Sequence, residues 1–276
     1  MASQAATASS PVGALGLGQP GLVEQVYALG RRAFFRVLRQ PAQIIFPFIF
    51  PMLLFAVNAA GLDAATKLPG FPADDYRDFA LAVPFMQGAL FTAINAGTDL
   101  ARDIETGFLN RLRLTPMHAP ALLAGQLGGV ILIGVIQAIS YIAVGLAIGV
   151  DFMCGILGLP VLLALSILIS FAFAAIGAFL ALKFGTGEAV QGFFPLLFVL
   201  VFLSSSSLPR DLIATDWFRT VATYNPVSYL IEGIRSLIII GWDPEALALG
   251  FGTAVALLAI ALTAASLALR TRVGQG

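Results

Sequence analysis

Histidine, cysteine, lysine and charge in general are what this sequence of 276 residues has least of. Its one cysteine, Cys154, excludes an intrachain disulfide. Its one histidine, His118, sits between Pro116 and Pro120, on the opposite side of the membrane from Cys154 in the topology derived below, so no zinc-type ligand set forms. The lysines are Lys67 and Lys183, and neither lies in a G-x-x-x-x-G-K-[ST] arrangement, which excludes a P-loop. Charged residues are 11% of the chain, against about one-quarter in soluble domains. The formal net charge is zero, so no basic field points to nucleic acid. Ser204 to Ser207 offer hydroxyls without a neighbouring base, which makes them a polar cluster at a helix end rather than nucleophiles.

What is present is apolar surface. Hydrophobic residues make up 59% of the chain. They recur in runs long enough to cross a bilayer as helices, more than a soluble domain of this length can bury. The hydropathy predicts an all-α membrane protein with six spans at about 44–60, 79–98, 121–150, 156–182, 190–208 and 246–269. Pro47 and Pro51 lie in the first span, where neighbouring helices can satisfy the carbonyls they free. Residues 1–20, rich in Ala, Ser, Gly and Pro, read as a disordered tail ahead of one transmembrane domain, 21–276. From Gly21 to Gln40, Leu22, Val26, Leu29, Ala33 and Val37 share one helical face opposite Arg31, Arg32, Arg36 and Arg39, the pattern of an interfacial helix.

Charge sets the orientation. With the N-terminus in the cytoplasm, Arg31, Arg32, Arg36, Arg39, Arg102, Arg111, Arg113, Lys183, Arg270 and Arg272 lie inside. Lys67, Arg77, Arg210, Arg219 and Arg235 lie outside, as the positive-inside rule favours. Both termini are then cytoplasmic, and Cys154 faces out. Between the last two spans, Pro209 to Glu245 is too broken to cross and too apolar to be a solvated loop. It reads as a helical hairpin dipping into the outer leaflet, broken at Asn225-Pro226. Pro226 suits the first turn of its second helix and Asn225 its cap, so Asn225→Asp is expected to be tolerated.

No charged residue falls in the interior of a predicted span, which argues against an ion or proton relay. Asn58, Gln87, Asn95, Gln126, Gln137 and Gln191 are the polar positions there. Such amides either face a path, with Asn58, Gln87, Asn95 and Gln137 as candidates, or bond between helices. A path of this kind accepts an apolar or amphipathic molecule. Gly125 with Gly129 and Gly145 with Gly149 are small-xxx-small pairs suited to close helix packing.

The densest interruption of the apolar pattern is Asp99 to Pro120. Asp99, Arg102, Asp103, Glu105 and Thr106 form a polar start. Phe108, Leu109, Leu112 and Leu114 then follow at roughly helical spacing until Thr115-Pro116. The pattern predicts a short amphipathic helix at the membrane surface. The run from Asp103 through Glu105, Gly107, Arg111, Leu112 and Arg113 to Pro116 resembles the cytoplasmic loop of ABC-2 type permeases, in the branch with the daunorubicin-resistance permease. Asn225, Pro226, Tyr229 and Arg235 resemble that family's segment before its last span.

The resemblance implies a coupling helix that docks on a separate ATPase subunit, which binds ATP and Mg. It implies a second copy or paralogue of the permease and no catalysis in this chain. The expected role is therefore the membrane subunit of an ABC exporter in the cytoplasmic membrane, moving a drug, antibiotic or lipid-like molecule. An exporter of lipid-linked polysaccharide is the alternative within transport. A membrane enzyme acting on lipids is the alternative of another class, and it would need an interfacial carboxylate or histidine set.

Overall fold

The computed structural model describes residues 31, 35, 42–107 and 119–274. The expected tail and nearly all of the expected interfacial helix lie outside the described residues. Among the described residues the regular structure is helical throughout. The helices are α1 (Ala42–Gly61), α2 (Tyr76–Ala80), α3 (Ala82–Glu105), α4 (Ala119–Ala147), α5 (Gly155–Phe184), α6 (Gly187–Gly192), α7 (Phe194–Phe202), α8 (Asp216–Tyr224), α9 (Pro226–Ile239) and α10 (Pro244–Gly274).

Three stretches among the described residues are long and apolar enough to cross a membrane: Tyr76–Glu105, Gly155–Phe184 and Pro244–Arg272. Shorter apolar helices occupy Ile45–Gly61, Leu132–Ala147 and Gly187–Phe202, where the other expected spans fall. Together they make this an all-helical membrane protein.

The centre of the molecule is the pair α3 and α5. The apolar α5 packs against α3, α4, α6, α9 and α10. Its Leu162, Leu165 and Ile169 are fully buried with Phe79, Met86 and Leu90 and with Leu230, Ile231 and Ile234 of α9. Glycine permits the close approach of α3 to α5. A Cβ on Gly177 would lie 1.9 Å from the Ala93 carbonyl oxygen, and one on Gly97 would lie 2.8 Å from that of Gly177. The helix backbones touch there, and van der Waals contact of this kind holds helices together where lipid removes the hydrophobic drive. Gly233 of α9 and Gly250 of α10 meet in the same way, each Cβ position 3.1 Å from the other's Cα.

One proline of α1 shows the expected rescue by a neighbouring helix. Pro51 has no amide to offer the carbonyl of Pro47. The Tyr141 hydroxyl of α4 donates to that oxygen at 3.0 Å. Tyr141 fits because Gly88 leaves room: a Cβ there would sit 2.9 Å from the hydroxyl.

Two boundaries differ from expectation. Asp99 to Glu105 are the last turns of α3, not the polar start of a separate helix. The helix runs on until Gly107, whose φ of +67° suits glycine and whose amide donates to the Ile104 carbonyl at 3.0 Å. The expected fifth span is two helices, α6 and α7, broken at Phe193, because Pro195 brings no amide to the ladder. It also ends early, at Phe202, where Ser204 to Ser207 turn the chain back.

Candidate functional site

At one end of the molecule the close of α3 meets the turn between α5 and α6. Glu105 is exposed, and its Oε1 accepts from the Gly187 amide at 3.0 Å. Asp103, two residues earlier, is buried at 5% exposure and so faces its own chain. The α5–α6 turn is built by Gly185, at φ +83° with its amide on the Ala181 carbonyl, and by Thr186, whose hydroxyl caps α6 at the Ala189 amide. Arg272 of α10 lies over Gly185, close enough that a Cβ there would be 2.3 Å from Nη2. Of the expected coupling residues, Asp103, Glu105 and Gly107 are thus placed together at the foot of α3. Arg111, Leu112, Arg113 and Pro116 lie outside the described residues.

At the other end stands the hairpin. Asn225 separates α8 from α9 and caps α9 as expected, its Oδ1 accepting from the Val227 amide at 2.9 Å. The structure adds what sequence spacing does not reveal. Asn225 Nδ2 donates to the carbonyls of Leu200 at 2.7 Å and Leu203 at 3.0 Å, at the end of α7. A carboxylate can donate neither bond, so the expected tolerance of Asp at this position is overturned. Tyr229 donates to the Thr223 carbonyl at 2.9 Å, and the Arg210 guanidinium lies 4.7 Å above its ring.

Arg235 is 4% exposed and spends its donors on three carbonyls: Phe79 at 3.1 Å, Ser205 at 2.9 Å and Ser206 at 3.0 Å. Its guanidinium also lies 3.5 Å from the Phe79 ring centre. Glu232 accepts from the Ser205 hydroxyl at 2.7 Å and pairs with Arg210. For Arg210, burial lowers the pKa, but the Glu232 carboxylate outweighs it and the net direction is upward. Glu232, Arg210, Ser205 and Ser228 were not singled out for this role by the sequence reading. The signal available was the row Ser228, Glu232, Arg235 on one face of an otherwise apolar helix.

The hairpin's second helix, α9, is part of the core, with Val227, Leu230, Ile231, Ile234, Leu237 and Ile238 all buried. Its far end continues into the hairpin-side surface, where the Met153 and Cys154 amides donate to the Ile238 and Leu237 carbonyls.

The amides singled out as path candidates fall in different places. Asn58 and Gln87 line one cavity of about 20 Å³ with Tyr76 and Ser206, room for about one water. Gln87 Oε1 has no partner there. Gln137 lies between α3 and α4, its Oε1 within 3.3 Å of the Thr92 hydroxyl, and its Nε2 has no partner. Asn95 is half-buried lower on α3. Beside Asn58 and Gln87, Phe46 and Phe50 of α1, Phe91 of α3 and Phe194, Phe198 and Phe202 of α7 form a continuous chain of rings, with centroids 5.1 to 6.1 Å apart. Among the described residues no group of His, Cys, Asp and Glu is arranged to hold a metal.

A helical membrane protein with a charged foot on the most buried of its three long apolar helices and a capped hairpin before its last helix matches one family model, "ABC-2 type transporter", over residues 24–239. The chain belongs to the ABC-2 type transporter family. Relatives of this ABC-2 permease include the daunorubicin resistance ABC transporter permease protein DrrB1 of Streptomyces coeruleorubidus. That protein is 28% identical over 200 residues, 70% of this chain and 66% of its own length. Proteins named ycf38 and described as transport permeases are similar too. The one from Porphyra purpurea is 29% identical over 226 residues, 78% of this chain and 74% of its own. The one from Cyanophora paradoxa is 25% identical over 223 residues, with the same shares. The matched stretch is thus slightly less than two thirds of DrrB1. These relatives are named for transport, and this chain is an ABC-2 type transport permease.

Proposed function

We propose that this permease is the membrane subunit of an ATP-driven exporter of apolar or amphipathic molecules, drug-like or lipid-like, in the cytoplasmic membrane. Six spans cross with both termini inside: α1, α2–α3, α4, α5, α6–α7 and α10. Two copies, or one with a paralogue, enclose the path, and separate ABC ATPase subunits bind ATP and Mg. ATPase closure pushes on the coupling segment formed by Asp103, Glu105, Gly107, Arg111, Leu112, Arg113 and Pro116. Because α3 is buried along much of its length, a push at its foot reaches the core.

The observation that carries the cargo class is the phenylalanine chain on α1, α3 and α7. It is half open, with Phe46 and Phe202 more than half exposed. Aromatic faces bind apolar and planar groups by stacking and dispersion. A glycan path would call for Trp and Tyr, which could hydrogen-bond the sugar as well. The name of DrrB1 supports the same cargo class, and the family supports an ATPase partner.

The test is reconstitution with the ATPase that co-purifies. ATP-dependent efflux of a hydrophobic dye is expected, and Arg111→Glu with Arg113→Glu should abolish co-purification while the permease still inserts. Normal association of the double variant removes the docking assignment. Absence of any ATPase partner removes the exporter reading.

A further inference from the structure

The backbone leaving α7 is held to an unusual degree. From Leu200 to Ser207, carbonyl after carbonyl is taken by a side chain from another helix. Asn225 takes Leu200 and Leu203, Arg235 takes Ser205 and Ser206, and the Tyr76 hydroxyl takes Ser207 at 2.8 Å. The Ser205 amide donates to Ser228 Oγ at 3.1 Å, and the Ser228 hydroxyl donates onward to the Ala222 carbonyl. The Ser205 hydroxyl ends on Glu232. The serine run has its explanation here: short hydroxyls fit a turn in which Ser204, Ser205 and Ser206 are buried, Ser205 at 0% exposure.

The opposite end of the same span is broken. At Phe193 the helix breaks, Pro195 supplies no amide, and a Cβ on Gly192 would meet nothing within 4 Å. Beyond the break, the α6 amide of Gly187 is bonded to Glu105 at the foot of α3.

We propose that Arg235 and Glu232 are positioning residues that keep the outer end of α7 fixed to α2 and α9 throughout the transport cycle, so that α6 and α7 flex at Gly192–Phe193 instead. The inference rests on the transport reading above. Opening the outer turn would leave a buried guanidinium and several carbonyls unpaired, a large penalty in an apolar interior. Bending at the break gives up less than bending within a helix, since Pro195 supplies no ladder amide and the Phe193 amide reaches back only to the Val190 carbonyl, at 3.2 Å. Glu105 then delivers the movement of the coupling segment to α6, on the free side of the bend.

The experiment uses the full chain with Cys154→Ser. Cysteines at Ser205 and Ser228 should form a disulfide on oxidation, and the bridged protein should export rhodamine as fast as the reduced one. Transport that stops on oxidation and returns on reduction overturns the proposal, because the turn must then open; failure of the bridge to form also counts against it. Conversely, Gly192→Ala with Pro195→Ala should keep or raise membrane abundance and melting temperature yet slow export by about threefold or more, as expected where a conformational step limits the rate. Unchanged export in that variant refutes the bend.

If the parent shows no ATP-dependent export, the transport reading fails by itself. The anchor is then judged on the permease alone in nanodiscs, with spin labels at Phe202→Cys and Tyr224→Cys, both exposed positions. A narrow distance distribution that Arg235→Lys preserves and Arg235→Met broadens supports it. A distribution already broad in the parent, or unchanged by Arg235→Met, overturns it.

Discussion

Replacing Gly177 by alanine adds one methyl group at the crossing of α3 and α5, and the structure says what that methyl meets. Its carbon would lie 1.9 Å from the Ala93 carbonyl oxygen, 2.8 Å from the carbonyl carbon and 3.2 Å from its Cα. All three are backbone, so no side chain can swing away. Relieving the overlap requires the helices to separate by about 1 Å or more, and a gap of that size forfeits a quarter to a half of each dispersion contact it opens. Overpacking of this kind costs about 1 to 3 kcal/mol, sometimes more, and here the upper part of that range is expected because neither helix can retreat into solvent. A suitable control lies in α10, where a Cβ on Gly252 meets nothing within 4 Å. There the same substitution should be neutral or stabilising by up to about 1 kcal/mol, through helix propensity alone. Thermal unfolding in nanodiscs compares the two, at about 2 to 4 °C per kcal/mol for a chain of this size. Gly177→Ala should melt several degrees below the parent, Gly252→Ala at or above it. Equal melting of Gly177→Ala and the parent would refute the contact and with it the packing of the central pair.

Other expectations follow from individual contacts. Asn225→Ala loses the α9 cap, about 1 kcal/mol, and also strands two carbonyls. Asn225→Asp keeps the cap but sets a carboxylate against those carbonyls, so it should be the worse of the two, by about 1 kcal/mol or more in chemical unfolding; an Asp variant as stable as the parent would contradict the bonds to Leu200 and Leu203. Cys154 is buried at 5% exposure and burial raises the pKa of its thiol, whereas Met153 is 62% exposed. In intact cells an impermeant maleimide should therefore label Met153→Cys, in a Cys154→Ser background, much faster than it labels native Cys154. Labelling of Met153→Cys only after permeabilisation would reverse the orientation. The Asp75 carboxylate is held below its ordinary value of 3.8 chiefly by the hydrogen bond from Arg77, and it caps α2 through the Arg77 amide at 2.7 Å. Its contribution is present above that value and lost as pH falls through the folded pKa, so the melting difference between parent and Asp75→Asn should be constant at neutral pH and shrink below about pH 4. The pair is partly exposed, so the difference should be small and should fall with salt.

The sequence alone determined the class and most of the helices, for a simple physical reason. In lipid the backbone must satisfy itself, so apolar runs of sufficient length have little choice but to be helical, and the positions of α1, α3, α4, α5, α9 and α10 could be read from hydropathy. Capping chemistry is equally local, which is why Asn225-Pro226 marked the start of α9 and why glycine and proline marked breaks. Pro47 and Pro51 announced a need for a partner, but not that the partner would be Tyr141.

Only the tertiary structure decided where α9 sits. Its apolar face suits lipid and core alike, and contact with α3, α5 and α10 made it core. The same holds for Arg235, whose charge suggests an outer surface until its three carbonyl partners, distant in sequence, close around it. Glu105 looked like a docking residue from its place in the motif, and the fold brings it to Gly187, which no spacing rule connects to it. Gly177 is one glycine among 28 in the sequence; what sets it apart is the Ala93 carbonyl, placed against it by two helices that meet only when the chain has folded.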